Sequence, residues 1–215
     1  MRGVSPSATI RRELSIRTPR PNTRIAVNQP DAELIAASLS GQTDAFGVLV
    51  VRYQNRLYNT LVHTLGSAED AHDVAQDAFS RAFQKLATFE GRCAFYSWLF
   101  RIAHHCAVNH RRRNWRSTAS LDAAREQAGN DPADPSDFSR PDHDLEVSER
   151  QVMVRTALQR LPDEYRTILV LREIDGLNYE EIADAIDCPI GTVRSRIHRA
   201  RLELRSKLEV MLKSS

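Results

Sequence analysis

Apolar residues in this chain recur mostly every three or four positions, the period of helices with one buried side. Leu34, Ile35 and Leu39 mark a first helix that Asp31 can cap. Phe46, Leu49, Val50, Tyr53, Leu57, Tyr58 and Leu61 mark a second, starting at Asp44. Gly66-Ser67 interrupts the pattern, and a third helix follows with Ala71, Val74, Ala75, Ala78, Phe79 and Phe83 turned inward. A loop is expected over 88–95. The next helix runs from about Ser97 to Arg113 and is apolar at Leu99, Ile102, Ala103 and Cys106. Periodicity then fails through the Pro-, Asp- and Ser-rich stretch NDPADPSDFSRPDHD. It resumes near Leu145, with Val147, Val152, Val154, Ala157, Leu158 and Leu161 apolar as far as Leu161-Pro162. Asp163-Glu164 open a further helix, YRTILVLREI, that ends at Asp175-Gly176.

The most informative stretch is 178–208, which reads as two helices around a tight turn. Asn178 is a good N-cap, and Glu181 is placed to complete a capping box. Ile182, Ala185 and Ile186 give the first of these helices an apolar face; Asp187-Cys188-Pro189-Ile190-Gly191 breaks it. In the second, Val193, Ile197, Ala200 and Leu204 share one side. Arg194, Ser195, His198, Arg199 and Leu202 share the other, with Arg196 and Arg201 on the flanks. An apolar back and an arginine-rich front after a short turn is a helix-turn-helix pattern. Its chemistry suits DNA, because arginine forks onto guanine edges or phosphates, and Ser and His reach base edges or backbone oxygens. The plainer reading is a solvated basic helix; the cap, the turn and the one-sided stripe together favour DNA.

Charge changes the picture next. The formal net charge of +2 averages opposed blocks. Residues 101–116 hold five arginines and no acid, 116–150 hold nine acids against four arginines, and 190–207 hold six basic residues against one acid. Two basic surfaces separated by an acidic tether fit a polyanionic partner. The expected organisation is all-α: a disordered extension over 1–30, helical domains at 31–115 and 145–215, and a flexible acidic linker at 116–144. Trp98, Arg101, His105, Asn109 and Arg112 line one face of their helix, a stacking and forked set suited to unpaired DNA, although core packing is the plainer role for Trp98 taken alone. Asp70, Asp73, Gln76, Asp77 and Ser80 leave the third helix acidic in its N-terminal half, which its own dipole already favours.

Several classes drop out. No phosphate-binding loop, dinucleotide glycine pattern or nucleophile elbow is present. Cys93, Cys106 and Cys188 are too scattered for a disulfide framework or a zinc ribbon. His104, His105, Cys106 and His110 lack a third ligand at metal spacing, so neither metal nor cofactor is expected. No signal peptide or membrane span is evident, which points to the cytoplasm.

Four segments together carry a family resemblance: DVAQDAF at 73–79, FYSWLFRIAHHCAVNHRRR at 95–113, LPDEYRTILVLREIDGLNYEEIADAI at 161–186, and CPIGTVRSRIHRAR at 188–201. In them the chain resembles bacterial sigma factors of the extracytoplasmic-function group, in the sigma-70 family. The resemblance implies no catalysis, and a subunit that lends promoter specificity to RNA polymerase core. It implies that 31–115 is region 2 and 145–215 is region 4. Asp73, Gln76, Asp77 and Ser80 would dock on the β′ clamp helices, with the β flap as a second polymerase contact. Arg92, Phe95, Trp98, Arg101, His105, Asn109 and Arg112 would open and capture the −10 element, including a flipped base. Thr192, Arg194, Ser195, Arg196, His198 and Arg199 would read the −35 duplex. An anti-sigma partner is implied too. His105 stands where the family often has Asn, and the 1–30 extension has no counterpart in the pattern. The rival readings are a self-sufficient operator-binding regulator, for which dimerising heptads are missing, and a helical metalloenzyme built on His104, His105 and His110.

Overall fold

A computed structural model describes residues 29–122 and 145–214, with side chains placed over 29–113 and 150–213. Residues 1–28 of the N-terminal extension and most of the expected linker lie outside the described residues. All regular structure among the described residues is helical. In order these are α1 (Asp31–Leu39), α2 (Thr43–Leu65), α3 (Ala68–Lys85), a short 3-10 turn (Leu86–Thr88) and α4 (Phe95–Asp122). After the undescribed stretch come α5 (Leu145–Gln159), α6 (Asp163–Leu169), a wide π-helical turn (Val170–Ile174), α7 (Tyr179–Ile186) and α8 (Ile190–Ser214).

Local chemistry accounts for most boundaries. Gly66 closes α2 in the left-handed region at φ 81°, which glycine adopts without a Cβ penalty. Ser67 then starts α3, its hydroxyl accepting from the Asp70 amide at 3.2 Å. Asn178 and Glu181 form the full capping box, with both hydrogen bonds at 2.8 Å. Asp187 ends α7 at φ 52°, one of the few side chains that tolerate this conformation.

Four expectations are corrected. Asp31 is the first residue of α1 rather than its cap; its carboxylate is instead held by Arg52 and Tyr53 of α2, which tie α1 down. Burial, with help from Asp31, pushes the Tyr53 hydroxyl up to about 12. Phe83 is 44% exposed at the rim, tilted against Phe46 at 5.0 Å, because it lies beside the inward stripe, which continues through Ala82 and Leu86. The helix through Arg113 continues to Asp122, beyond the expected domain edge. The helix opened by Asp163 widens into a π turn before Asp175.

The two halves are not merely tethered. Leu49, Leu57, Leu61, Leu99 and Phe100 from the first half and Ile168, Leu171, Ile182, Val193 and Ile197 from the second belong to one continuous apolar core. Helix α7 packs across α4, and α2 packs against α5, α6 and the wide turn.

Candidate nucleic-acid interface

Helix α8 is sorted by burial into a back and a front. Val193, Ile197 and Ala200 are buried, with Leu204 half-buried behind them. Arg194, Ser195, His198, Arg199 and Leu202 are exposed, on the side the spacing predicts. The side chains of Arg194, His198 and Arg199 make no hydrogen bond or ion pair with another described residue, so their donors face solvent. Thr192 is half-buried, and its carbonyl accepts from the Ser195 hydroxyl at 3.0 Å. The flanking arginines are engaged. Arg196 pairs with Glu164 of α6 at 3.1 Å, and Arg201 pairs with Glu173 of the wide turn at 2.6 Å. They brace α8 against the helices behind it, a role that spacing alone did not reveal for Arg196.

The α4 stripe divides. His105, Asn109 and Arg112 are exposed, and Arg101 is half-buried; Arg92 is exposed in the preceding loop, paired with Glu90 at 2.7 Å. Phe95 and Trp98 are only 3% and 5% exposed. They form a cluster with Phe89, whose ring lies 5.7 Å from Phe95 and 5.3 Å from Trp98. In this arrangement they pack the base of the loop rather than offering a stacking face, so the core role weighed for Trp98 is the one observed.

On α3, Asp73, Gln76, Asp77 and Ser80 are all exposed along one side. Asp77 lies 3.6 Å from Arg113, and the amide of Gln76 lies 3.4 Å from His72. Both are loose, solvent-facing contacts that leave the acidic face available.

The histidines on α4 separate rather than converge. His110 pairs with Asp70 at the start of α3 at 2.7 Å, His105 faces solvent, and His104 turns into the cleft between the halves. No group of three or more His, Cys, Asp and Glu residues able to hold a metal occurs among the described residues. Burial pushes the thiols of Cys93, Cys106 and Cys188 above the ordinary cysteine value, away from the thiolate a reactive cysteine needs. No helix among the described residues is long and apolar enough to cross a membrane.

Sequence reasoning missed the contact between the halves. Asp175, at the end of the wide turn, takes Arg56 Nε on Oδ1 at 2.9 Å and the Tyr96 hydroxyl on Oδ2 at 2.6 Å; its carbonyl accepts from Arg56 at 3.1 Å. The Arg56 guanidinium lies 3.8 Å from the Tyr96 ring centre. Burial and the Asp175 charge raise the Tyr96 hydroxyl, keeping it a donor. Lower in the cleft Arg111 pairs with Asp163, and Gln159 donates to the His63 carbonyl at 3.0 Å. No periodicity marks Arg56 or Asp175, so the sequence holds no signal for them.

Comparison with known proteins matches residues 49–117 to Sigma-70 region 2 and residues 151–204 to Sigma-70, region 4. The RNA polymerase sigma-H factor of Pseudomonas aeruginosa is 38% identical over 189 residues, 87% of this chain and 98% of that protein. The ECF RNA polymerase sigma-E factor of Escherichia coli K12 is 40% identical over 187 residues, 85% of this chain and 96% of that protein. Among solved structures, CnrH in complex with the cytosolic domain of CnrY superposes with a TM-score of 0.60 at 27% identity, covering 84% of this chain and 97% of that one. RpoE with the anti-sigma factor NepR from Bartonella quintana gives a TM-score of 0.58 at 25% identity, covering 77% of this chain and 97% of that one.

Proposed function

This chain belongs to the extracytoplasmic-function group of the sigma-70 family, and from that premise we propose how its surfaces share the work of promoter recognition. It binds RNA polymerase core and directs initiation at selected promoters, while the polymerase performs the chemistry. The acidic side of α3, at Asp73, Gln76, Asp77 and Ser80, docks on the β′ clamp helices, and region 4 contacts the β flap. The front of α8 reads the −35 duplex: Arg194, Ser195, His198 and Arg199 reach base edges and phosphates, and Thr192 and Arg196 support the helix at the groove. The loop and α4 surface, from Arg92 through Arg101, His105, Asn109 and Arg112, hold the opened −10 strand. Phe95 and Trp98 shape the floor of that site and meet a base only if the aromatic cluster rearranges. The chain acts in the cytoplasm, with no catalysis of its own.

A solved relative is held by an anti-sigma factor, and control by such a partner is part of this reading. The observation that carries the proposal is the sorting of α8: its back is sealed in the core, while Arg194, His198 and Arg199 stand free on the front. Run-off transcription with sigma-free core on a genomic promoter pool tests it. New discrete start sites with a shared upstream element support the reading. Silent core, together with a duplex footprint by the chain alone, replaces it with an operator-binding regulator.

A further inference from the structure

A helix seated in a major groove has phosphate along both flanks. The groove is about 12 Å wide, and a helix with its side chains is about 10–12 Å across. Cations on the flanks therefore face the backbone of any DNA, whereas those on the front face base edges. Helix α8 carries both kinds. Spacing at about 100° per residue puts Arg196 and Arg201 on opposite sides of the front formed by Arg194, Ser195, His198 and Arg199.

The structure treats the two kinds differently. The front side chains of Arg194, His198 and Arg199 are left to solvent. Each flanking arginine meets a carboxylate from an element behind α8: Arg196 meets Glu164 at 3.1 Å, and Arg201 meets Glu173 at 2.6 Å through Nη2, with its Nε on the same oxygen at 3.2 Å. Further along, Arg205 and Lys207 pair with Glu209 and Glu203 of α8 itself. Helix dipoles do not account for the two cross-helix carboxylates. Asp163 already supplies an acid to the first turn of α6 and turns to Arg111 and Arg166, whereas its neighbour Glu164 reaches α8. Glu173 stands near the C-terminal end of the continuous run from Asp163 to Ile174, where a carboxylate is disfavoured.

We propose that Glu164 and Glu173 withhold the flanking arginines of α8 from the DNA backbone, so that region 4 depends on its reading face for affinity. This rests on the sigma reading above. Each carboxylate acts in two ways: it neutralises one arginine, and it sets a negative charge beside the path of a phosphate. Exposed pairs of this kind shift an equilibrium by at most about fivefold. They trim the sequence-blind hold on DNA without abolishing it.

The test compares the full wild-type chain with Glu164→Gln, Glu173→Gln and the double variant, each confirmed as folded by its Tm. Two fluorescent duplexes of equal length are titrated between about 50 and 200 mM salt, one holding a −35 element mapped by run-off transcription and one with that element scrambled. Each single variant gains about two- to fivefold in affinity for both duplexes alike. Its plot of log affinity against log salt steepens by up to about 0.9, one phosphate contact, and the double variant by up to about twice that. Region 2 contributes equally to all the proteins, so it cancels in the comparison. The Glu164→Gln gain vanishes when Arg196 is alanine, and the Glu173→Gln gain when Arg201 is alanine. A double variant with less than a twofold gain, or with an unchanged slope, overturns the proposal. A loss confined to the matched duplex also overturns it, because the pairs then only orient the reading face. A gain that persists without the arginines does so too, since the carboxylates then act by their own charge alone. Failure to map any promoter counts against the sigma reading instead, and the scrambled duplex still decides whether the two carboxylates restrain backbone binding.

Discussion

Substituting the back and the front of α8 separately gives the sharpest check on how that helix is oriented. Ile197 is 2% exposed and sits in the shared core. Ile197→Ala removes three buried carbons, about 2.4 kcal/mol at ~0.8 kcal/mol each, and adds a cavity cost on the order of 1 kcal/mol. Alanine recovers roughly 0.4 kcal/mol of helix propensity, which leaves a net loss near 3 kcal/mol. For a chain of this size each kcal/mol lowers Tm by about 2–4 °C, so the expected fall is about 6–12 °C. Circular dichroism at 222 nm during heating measures it. Arg199→Ala is the counterpart: an exposed side chain without a described partner, its loss is expected to move Tm by less than about 2 °C. The same change weakens binding at one base position by about 1–3 kcal/mol if Arg199 forks onto guanine, read as altered preference in a promoter-variant library. A Tm fall below about 3 °C for Ile197→Ala would refute the core assignment, and with it the front face derived from it.

Three further outcomes follow from named contacts. Asn178→Ala removes the acceptor for the Glu181 amide and is expected to cost about 1 kcal/mol; combined with Glu181→Ala it should lose less than the sum of the two, since both bonds belong to one box, and additive losses in a denaturant cycle would argue against coupling. Asp73→Ala/Asp77→Ala is expected to weaken core binding about tenfold with Tm nearly unchanged, because both carboxylates are exposed and loosely paired; equal affinities in a fluorescence-anisotropy titration would remove α3 from the docking surface. The last outcome concerns pH. His104 is pushed below the ordinary 6.5 first by burial and then by His105 and Arg111, with Asp163 of α6 opposing; His63 is pushed down by burial and by Arg155 of α5. Both imidazoles hold a proton less readily in the folded chain than when unfolded, so the unfolded chain binds more protons as pH falls toward 6.5 and below. The stability of the folded chain is therefore full above about 6.5 and falls as pH drops below it. Denaturation midpoints between pH 7.5 and 5.5 read this loss, and His63→Gln/His104→Gln should flatten it; an unchanged slope in that variant would assign the dependence to other groups.

Much of this molecule is written in local chemistry. The periods of Val74, Ala75 and Ala78, or of Val193, Ile197 and Ala200, set which side of α3 and α8 is buried, because an apolar stripe on a helix must face away from water whatever covers it. The caps at Ser67 and Asn178, and the turn at Asp187, follow from side chains that satisfy or release backbone groups one turn away. The exposed arginines of α8 follow from the same periodicity. What the stripes could not say is which surfaces meet. An amphipathic face specifies burial, not a partner, so two separate domains and one fused core present the same pattern along the chain. Only the tertiary structure decided that Trp98 and Phe95 pack around Phe89, that Arg196 braces α8 through Glu164, and that Asp175 reaches across to Arg56 and Tyr96. Those contacts join residues as much as 119 positions apart. They depend on how whole helices sit against one another, a distance over which local spacing carries no information.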